Sequence, residues 1–140
     1  GINSTQPSAA LDVTEPARIQ SSYDFPQTVT SSSNTINLRV DEATTFLHTT
    51  SENVNRFILS GIKAGASASF TLKIAQNATT ARTVAIDTFE TTGGVNIPVY
   101  WPGGVVPTLT NAVNAIDVYS YITFDGGASL YGVVGGQNFS

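Results

Sequence analysis

The chemistry open to this 140-residue chain is bounded by how few reactive side chains it carries. Its one histidine, His48, is flanked by Leu47 and Thr49 in a segment that reads as a strand. A Ser/His/Asp triad needs a histidine as proton shuttle, a carboxylate to orient it and a serine held on a sharp turn. No G-x-S-x-G spacing is present, so His48 reads as a strand histidine, solvent-facing or hydrogen-bonded. Glycoside hydrolysis needs one carboxyl group to protonate the leaving group and a second as nucleophile or base. Asp87 with Glu90, and Asp117 with Asp125, are the pairs that spacing allows, but ten scattered carboxylates read as solvated edge and turn residues. With no cysteine, thiolate zinc, iron–sulfur and cysteine-nucleophile chemistry are excluded. No D-x-D-x-D loop offers converging oxygens for calcium. The sequence predicts no catalytic residue, no cofactor and no metal site.

Aromatic side chains are the other source of chemistry. Tyr100 and Trp101 open a Pro102-Gly103-Gly104 loop. Aromatic faces stack on the C–H surfaces of sugars, and binding residues concentrate in loops, so Tyr100 and Trp101 are the candidate ligand-binding residues. The competing reading has Trp101 anchoring its loop in the core. Tyr119 and Tyr121 alternate with Ile116, Val118, Ile122 and Phe124. If the latter four are the buried face, the two tyrosines lie opposite and form an exposed patch or a subunit interface, which a chain so poor in charge favours.

Hydrophobic residues make up 41% of the chain and charged residues only 11%, less than half the roughly 25% of ordinary soluble domains. Polarity comes from Ser, Thr, Asn and Gly instead, a strand-and-turn composition. The length suits a single domain with a real core. A net charge of −4 without a basic run predicts no nucleic-acid partner. No apolar run approaches the ~18 residues of a membrane-spanning helix, no charged-then-apolar leader is present, and no membrane insertion is expected. The absence of methionine, even at position 1, reads as a fragment or a processed product.

The elements that must position these residues are short strands. Residues 1–26 hold Pro7, Pro16 and Pro26 and no sustained period, so they read as an arm or connector. Its apolar Leu11 and Val13 suit burial along a neighbouring subunit. From residue 27 to 140 alternation dominates: Ile36, Leu38 and Val40; Phe57 and Leu59; Phe70, Leu72 and Ile74; Val84 and Ile86; the strand from Ile116; and a return from Leu130 to Val134. Asp125-Gly126-Gly127 between two such runs predicts a hairpin. Thr88 to Asn111 reads as a long loop with a strand only at Val99–Trp101, and Thr110 to Ala115 as one helical turn. About eight short strands predict an all-β, antiparallel β-sandwich of jelly-roll type with an extended N-terminal arm.

Trp101-Pro102-Gly103-Gly104, Pro107-Thr108-Leu109-Thr110, Asp117 with its aromatic strand, Asp125-Gly126-Gly127, Tyr131-Gly132 and Gly136-Gln137-Asn138-Phe139 occur in that order. Together with Gly65 to Lys73 and Arg82-Thr83-Val84, and with the connector-like Gly1-Ile2-Asn3 and Pro7 to Val13, this resembles the C-terminal domains of bacteriophage tail or head fibres and related virion structural proteins. The turn Asn77 to Ala81 departs from the charged or Gly-rich turn of that pattern. The resemblance implies a non-enzymatic, commonly trimeric β-rich module on a virus particle; the expectation built on it is a homotrimer in contact with other virion proteins and with host-surface glycans. A capsid decoration or cement protein, and a carbohydrate-binding module or adhesin, are the rival expectations.

Overall fold

The computed structural model describes residues 16–140. The chain is all-β. Its strands are β1 (Gln27–Thr28), β2 (Thr35–Arg39), β3 (Thr45–Thr49), β4 (Arg56–Ser60), β5 (Ala68–Ala75), β6 (Phe89–Glu90), β7 (Asn96–Ile97), β8 (Val99–Tyr100), β9 (Ile116–Thr123) and β10 (Leu130–Phe139), with one 3₁₀ turn at Pro102–Gly104. They form a six-stranded sheet, β1-β3-β5-β9-β10-β8, and a four-stranded sheet, β2-β4-β6-β7. One core lies between the sheets, with Phe46, Phe70 and Leu72 on one side and Leu38, Phe57 and Phe89 on the other.

The pairing is mixed rather than antiparallel throughout. From β1 to β6 successive strands alternate between the sheets, and each pairs in parallel with the strand two places on: β1 with β3, β3 with β5, β2 with β4 and β4 with β6. Parallel neighbours need a long crossover, and here the intervening strand of the opposite sheet supplies it. This half of the molecule is therefore a flattened coil, not a series of hairpins. Its rungs stack like on like: Ile36 lies beside Phe57 and Phe57 beside Phe89, the two rings 5.0 Å apart and nearly parallel. Apolar alternation marks which face is buried, but it is the same for parallel and antiparallel partners, so it could not have distinguished the two.

Coil corners are held by amides and hydroxyls. Gln76 is buried and fully partnered: its carbonyl accepts from Thr50 Oγ1 (3.0 Å) and Arg82 N (2.9 Å), while its amide donates to the carbonyls of Arg82 (2.9 Å) and Thr110 (3.0 Å). At another corner Asn34 donates to the Asn53 carbonyl, and the Asn53 side chain accepts from Thr83 N. Val84 and Ile86 do not form a strand. Val84 makes an isolated parallel bridge to Val54, after which Ile86 N–H turns back to the Val84 carbonyl. Thr110 to Ala115 is a turn with Asn114 at φ 62°, not a helical turn.

The final third closes the six-stranded sheet. β9 runs antiparallel to β5 and forms the expected hairpin with β10. At its tip Gly126 has φ 73°, and a Cβ there would lie 2.5 Å from Gly65 N, so only glycine fits. Gly126 N–H also donates to the Ala66 carbonyl, docking the hairpin on the loop before β5. Residues 16–26 form no strand and run exposed, with Thr44 Oγ1 donating to Asp24 at 2.7 Å. Leu11 and Val13 lie outside the described residues.

Candidate functional site

The face assignment of β9 is the reverse of the one read from sequence. Asp117, Tyr119, Tyr121 and Thr123 point into the core, and Ile116, Val118 and Ile122 point outward. Tyr119 and Tyr121 are fully buried within the chain, so neither is available to a subunit interface. A tyrosine adds more apolar area than an isoleucine and goes inside when its hydroxyl finds a partner. Tyr121 donates to the Ile86 carbonyl at 2.7 Å, and Tyr119 donates to Asp117 Oδ2 at 2.9 Å. Burial pushes both phenols well above their ordinary pKa, Tyr119 with help from the Asp117 carboxylate beside it.

Asp117 is only 2% exposed and acts as a structural tie. Its carboxylate accepts from Thr110 N (2.8 Å), Tyr119 Oη, Gln137 Nε2 (3.2 Å) and Asn138 N (2.9 Å). Burial alone would raise its pKa, but these donors together hold it below the usual carboxylate value. Gln137 also donates to Tyr119 Oη and the Thr108 carbonyl. Three separated pieces of the sequence, 108–110, 117–119 and 137–138, are thus joined at one buried charge.

Each of the candidate carboxylates has other partners. Asp125 closes the hairpin, accepting from Thr123 Oγ1 (2.8 Å), Ser129 N (3.0 Å) and Ser129 Oγ (2.6 Å); the Ser129 bonds above all hold its pKa at about 2. Asp87 accepts from Thr88 Oγ1, and Glu90 faces Arg56 at 3.8 Å. His48 is buried on the inner face of β3 with Nδ1 3.0 Å from the Val29 carbonyl, the hydrogen-bonded alternative of the two expected. Among the described residues no three His, Asp or Glu side chains converge on a point where a metal could sit.

The two candidate ligand-binding residues part company. Trp101 is 7% exposed, packs edge-on against Tyr119 and Tyr121 (6.2 and 5.8 Å) and covers Gly132, where a Cβ would stand 2.6 Å from the indole. It anchors its loop with its ring largely buried, so it is withdrawn as an exposed stacking platform. Tyr100 is 53% exposed. Parallel pairing of β8 with β10 sets Tyr100 beside Tyr131, the rings 5.5 Å apart, and Phe124 lies 5.6 Å from Tyr131 on the other side. Tyr100 and Tyr131 border a shallow depression of about 280 Å³ that is also lined by Trp101, Pro102, Gly132 and Val133. Tyr131 and Phe124 were not singled out from sequence. Tyr131 alternates with Leu130 and Gly132, both buried, whereas Phe124, read from sequence on the buried row, directly follows β9 and is 64% exposed.

Comparison with protein-family models, with curated proteins and with solved structures finds no match for the chain.

Proposed function

We propose that this chain is a non-enzymatic structural module of a virus particle, working as an oligomer at the particle surface and attaching to host-surface glycans. The observation that carries this reading is the cluster of Tyr100, Tyr131 and Phe124. Two exposed tyrosine rings at a shallow, mostly apolar depression, with Phe124 flanking one of them, suit the C–H faces of a pyranose, and the two phenol groups supply donors and acceptors at the rim. Rings held by paired strands lose little freedom on binding. A site this shallow binds weakly by itself. Repetition around an oligomer and over a particle converts weak binding into avidity without new contacts. The saturated Asp117 and Asp125 fit the same reading, since their lone pairs are engaged in holding the fold.

A glycan array probed with the full chain tests it. The wild type retains a defined set of glycans. Tyr131→Ala and Tyr100→Ala lose most of that signal while keeping the wild-type circular dichroism spectrum. Glycan binding that survives both substitutions, or no retained glycan at all, overturns the assignment. Trp101→Ala is a poor probe, because it empties the core.

A further inference from the structure

We infer that the depression beside Arg82, between the β5–β6 connection and the loop before β9, binds the carboxylate of an acidic sugar. The inference rests on the reading above in taking the ligand to be a glycan; it adds a second site, away from the aromatic cluster, and names the charge that the glycan carries.

Arginine is almost never fully buried unless it is paired. Arg39 and Arg56 hold exposed ion pairs, with Asp41 and Glu42 and with Glu90. Arg82 takes part in no ion pair among the described residues, yet it is half-buried, and its Nε is shut off from solvent without an acceptor. Loose placement does not explain this. Gln76, itself buried, accepts from Arg82 N at 2.9 Å and donates to the Arg82 carbonyl at 2.9 Å, so the backbone is held on both sides. A buried donor without an acceptor is destabilising, more so on a charged group, and it asks for a partner beyond those the fold supplies. The terminal nitrogens of Arg82 are not shut off in the same way and bond to no described residue, so their edge of the guanidinium is the one a ligand reaches. A carboxylate meets such an edge with two parallel N–H···O bonds.

The surroundings select what carries the carboxylate. Arg82, Thr83 and Val84 line a depression of about 330 Å³ together with Thr108, Leu109 and Asn111. Gln76 ties the two segments, since its amide also donates to the Thr110 carbonyl, and Gln137 holds the Thr108 carbonyl. A site fixed in this way loses little freedom when a ligand arrives. Its volume lies at the small end of the roughly 300–1,000 Å³ of ligand pockets, which suits a single ring. Val84 and Leu109 pack against the core and offer apolar surface, while the exposed Thr83, Thr108 and Asn111 bring hydroxyls and an amide. That mixture matches the C–H and O–H groups of a pyranose. One guanidinium and no second cation match a carboxylate better than a phosphate. A hexuronic acid combines these features.

The test is a nuclear magnetic resonance titration of the full chain with glucuronate, glucose, inorganic phosphate and a triglutamate peptide. Glucuronate binds saturably and glucose about tenfold more weakly, and Arg82→Gln removes the difference. This variant keeps the backbone atoms that Gln76 holds, and an unchanged circular dichroism spectrum certifies its fold. If it does not fold, Asn111→Asp decides: a carboxylate on that exposed residue competes for the guanidinium and weakens glucuronate binding about tenfold. No saturable glucuronate binding, equal affinity for glucose, or a folded variant with wild-type affinity overturns the inference. So does tighter binding of phosphate or of the peptide than of glucuronate. Tyr131→Ala separates the two sites: it keeps glucuronate affinity if the sugar sits at Arg82, and its loss there moves the sugar to the aromatic cluster and overturns this assignment.

Discussion

Asp117 shows how one side chain can be misread when its neighbours are unknown. In sequence it is a carboxylate on a strand, eligible for catalysis or for a solvated edge. In the fold it is a buried acceptor for four donors. Asp117→Asn sets an amide against those donors and should cost about 3 kcal/mol in urea unfolding, in line with buried charge-assisted bonds. Titration follows from the same geometry. Asp117 and Asp125 are held below their unfolded value of about 3.9, so their contribution is complete above that pH and is lost as pH falls toward about 2, where Asp125 protonates. Tyr119 and Tyr121 are raised, so theirs is complete below about pH 10 and is lost above it. Unfolding midpoints should be level between these limits and fall on both sides. A midpoint that climbs below pH 4 contradicts the assignment. Gly132→Ala pushes a methyl into the Trp101 ring, and about 1–3 kcal/mol of destabilisation is expected.

At the level of elements, legibility depended on whether a signal was local. The strands at Ile36–Leu38, Phe57–Leu59 and Phe70–Ile74 and the Asp125-Gly126-Gly127 hairpin could be read, because period and turn chemistry are written in adjacent residues. Three things were not local. Parallel partnership depends on residues far along the chain, such as Phe57 and Phe89. The two-residue strands β6 and β7, inside the stretch read as a long loop, are too short to show a period, whereas β8 lies where a strand was read at Val99–Trp101. The buried side of β9 depended on hydroxyl partners at Ile86 and Asp117. The hairpin tip yields a direct test: Gly126→Ala combines a left-handed backbone with a clash against Gly65, so its thermal midpoint should fall by several degrees, while Ala128→Gly, on the exposed part of the same turn, should change little. At the coil corner, Gln76→Leu strands the Arg82 N–H and the Thr110 carbonyl and should cost about 3 kcal/mol by denaturant titration.

The molecule as a whole joins two kinds of construction. A parallel coil, β1 to β6, contacts mainly its own rungs, whereas β9 and β10 form an antiparallel cap whose outer side carries the aromatic cluster. Stability in coils is close to a sum of neighbouring-rung contributions, so the coil tolerates change in one rung better than the cap tolerates change at Asp117. Of the two residues read from sequence as binding candidates, Tyr100 belongs to the surface cluster and Trp101 is largely buried beside it, while Tyr119 and Tyr121, read as interface residues, lie in the core.

The position of Trp101 has a practical consequence for observing these two constructions. It is the sole indole of the chain and sits where the cap meets the core, edge-on to two tyrosines that can pass excitation to it. Its emission therefore reports the cap, while far-ultraviolet ellipticity reports every strand at once. If heating shifts the emission to the red before the ellipticity is lost, cap and coil melt as separate cooperative units; a single shared curve makes them one.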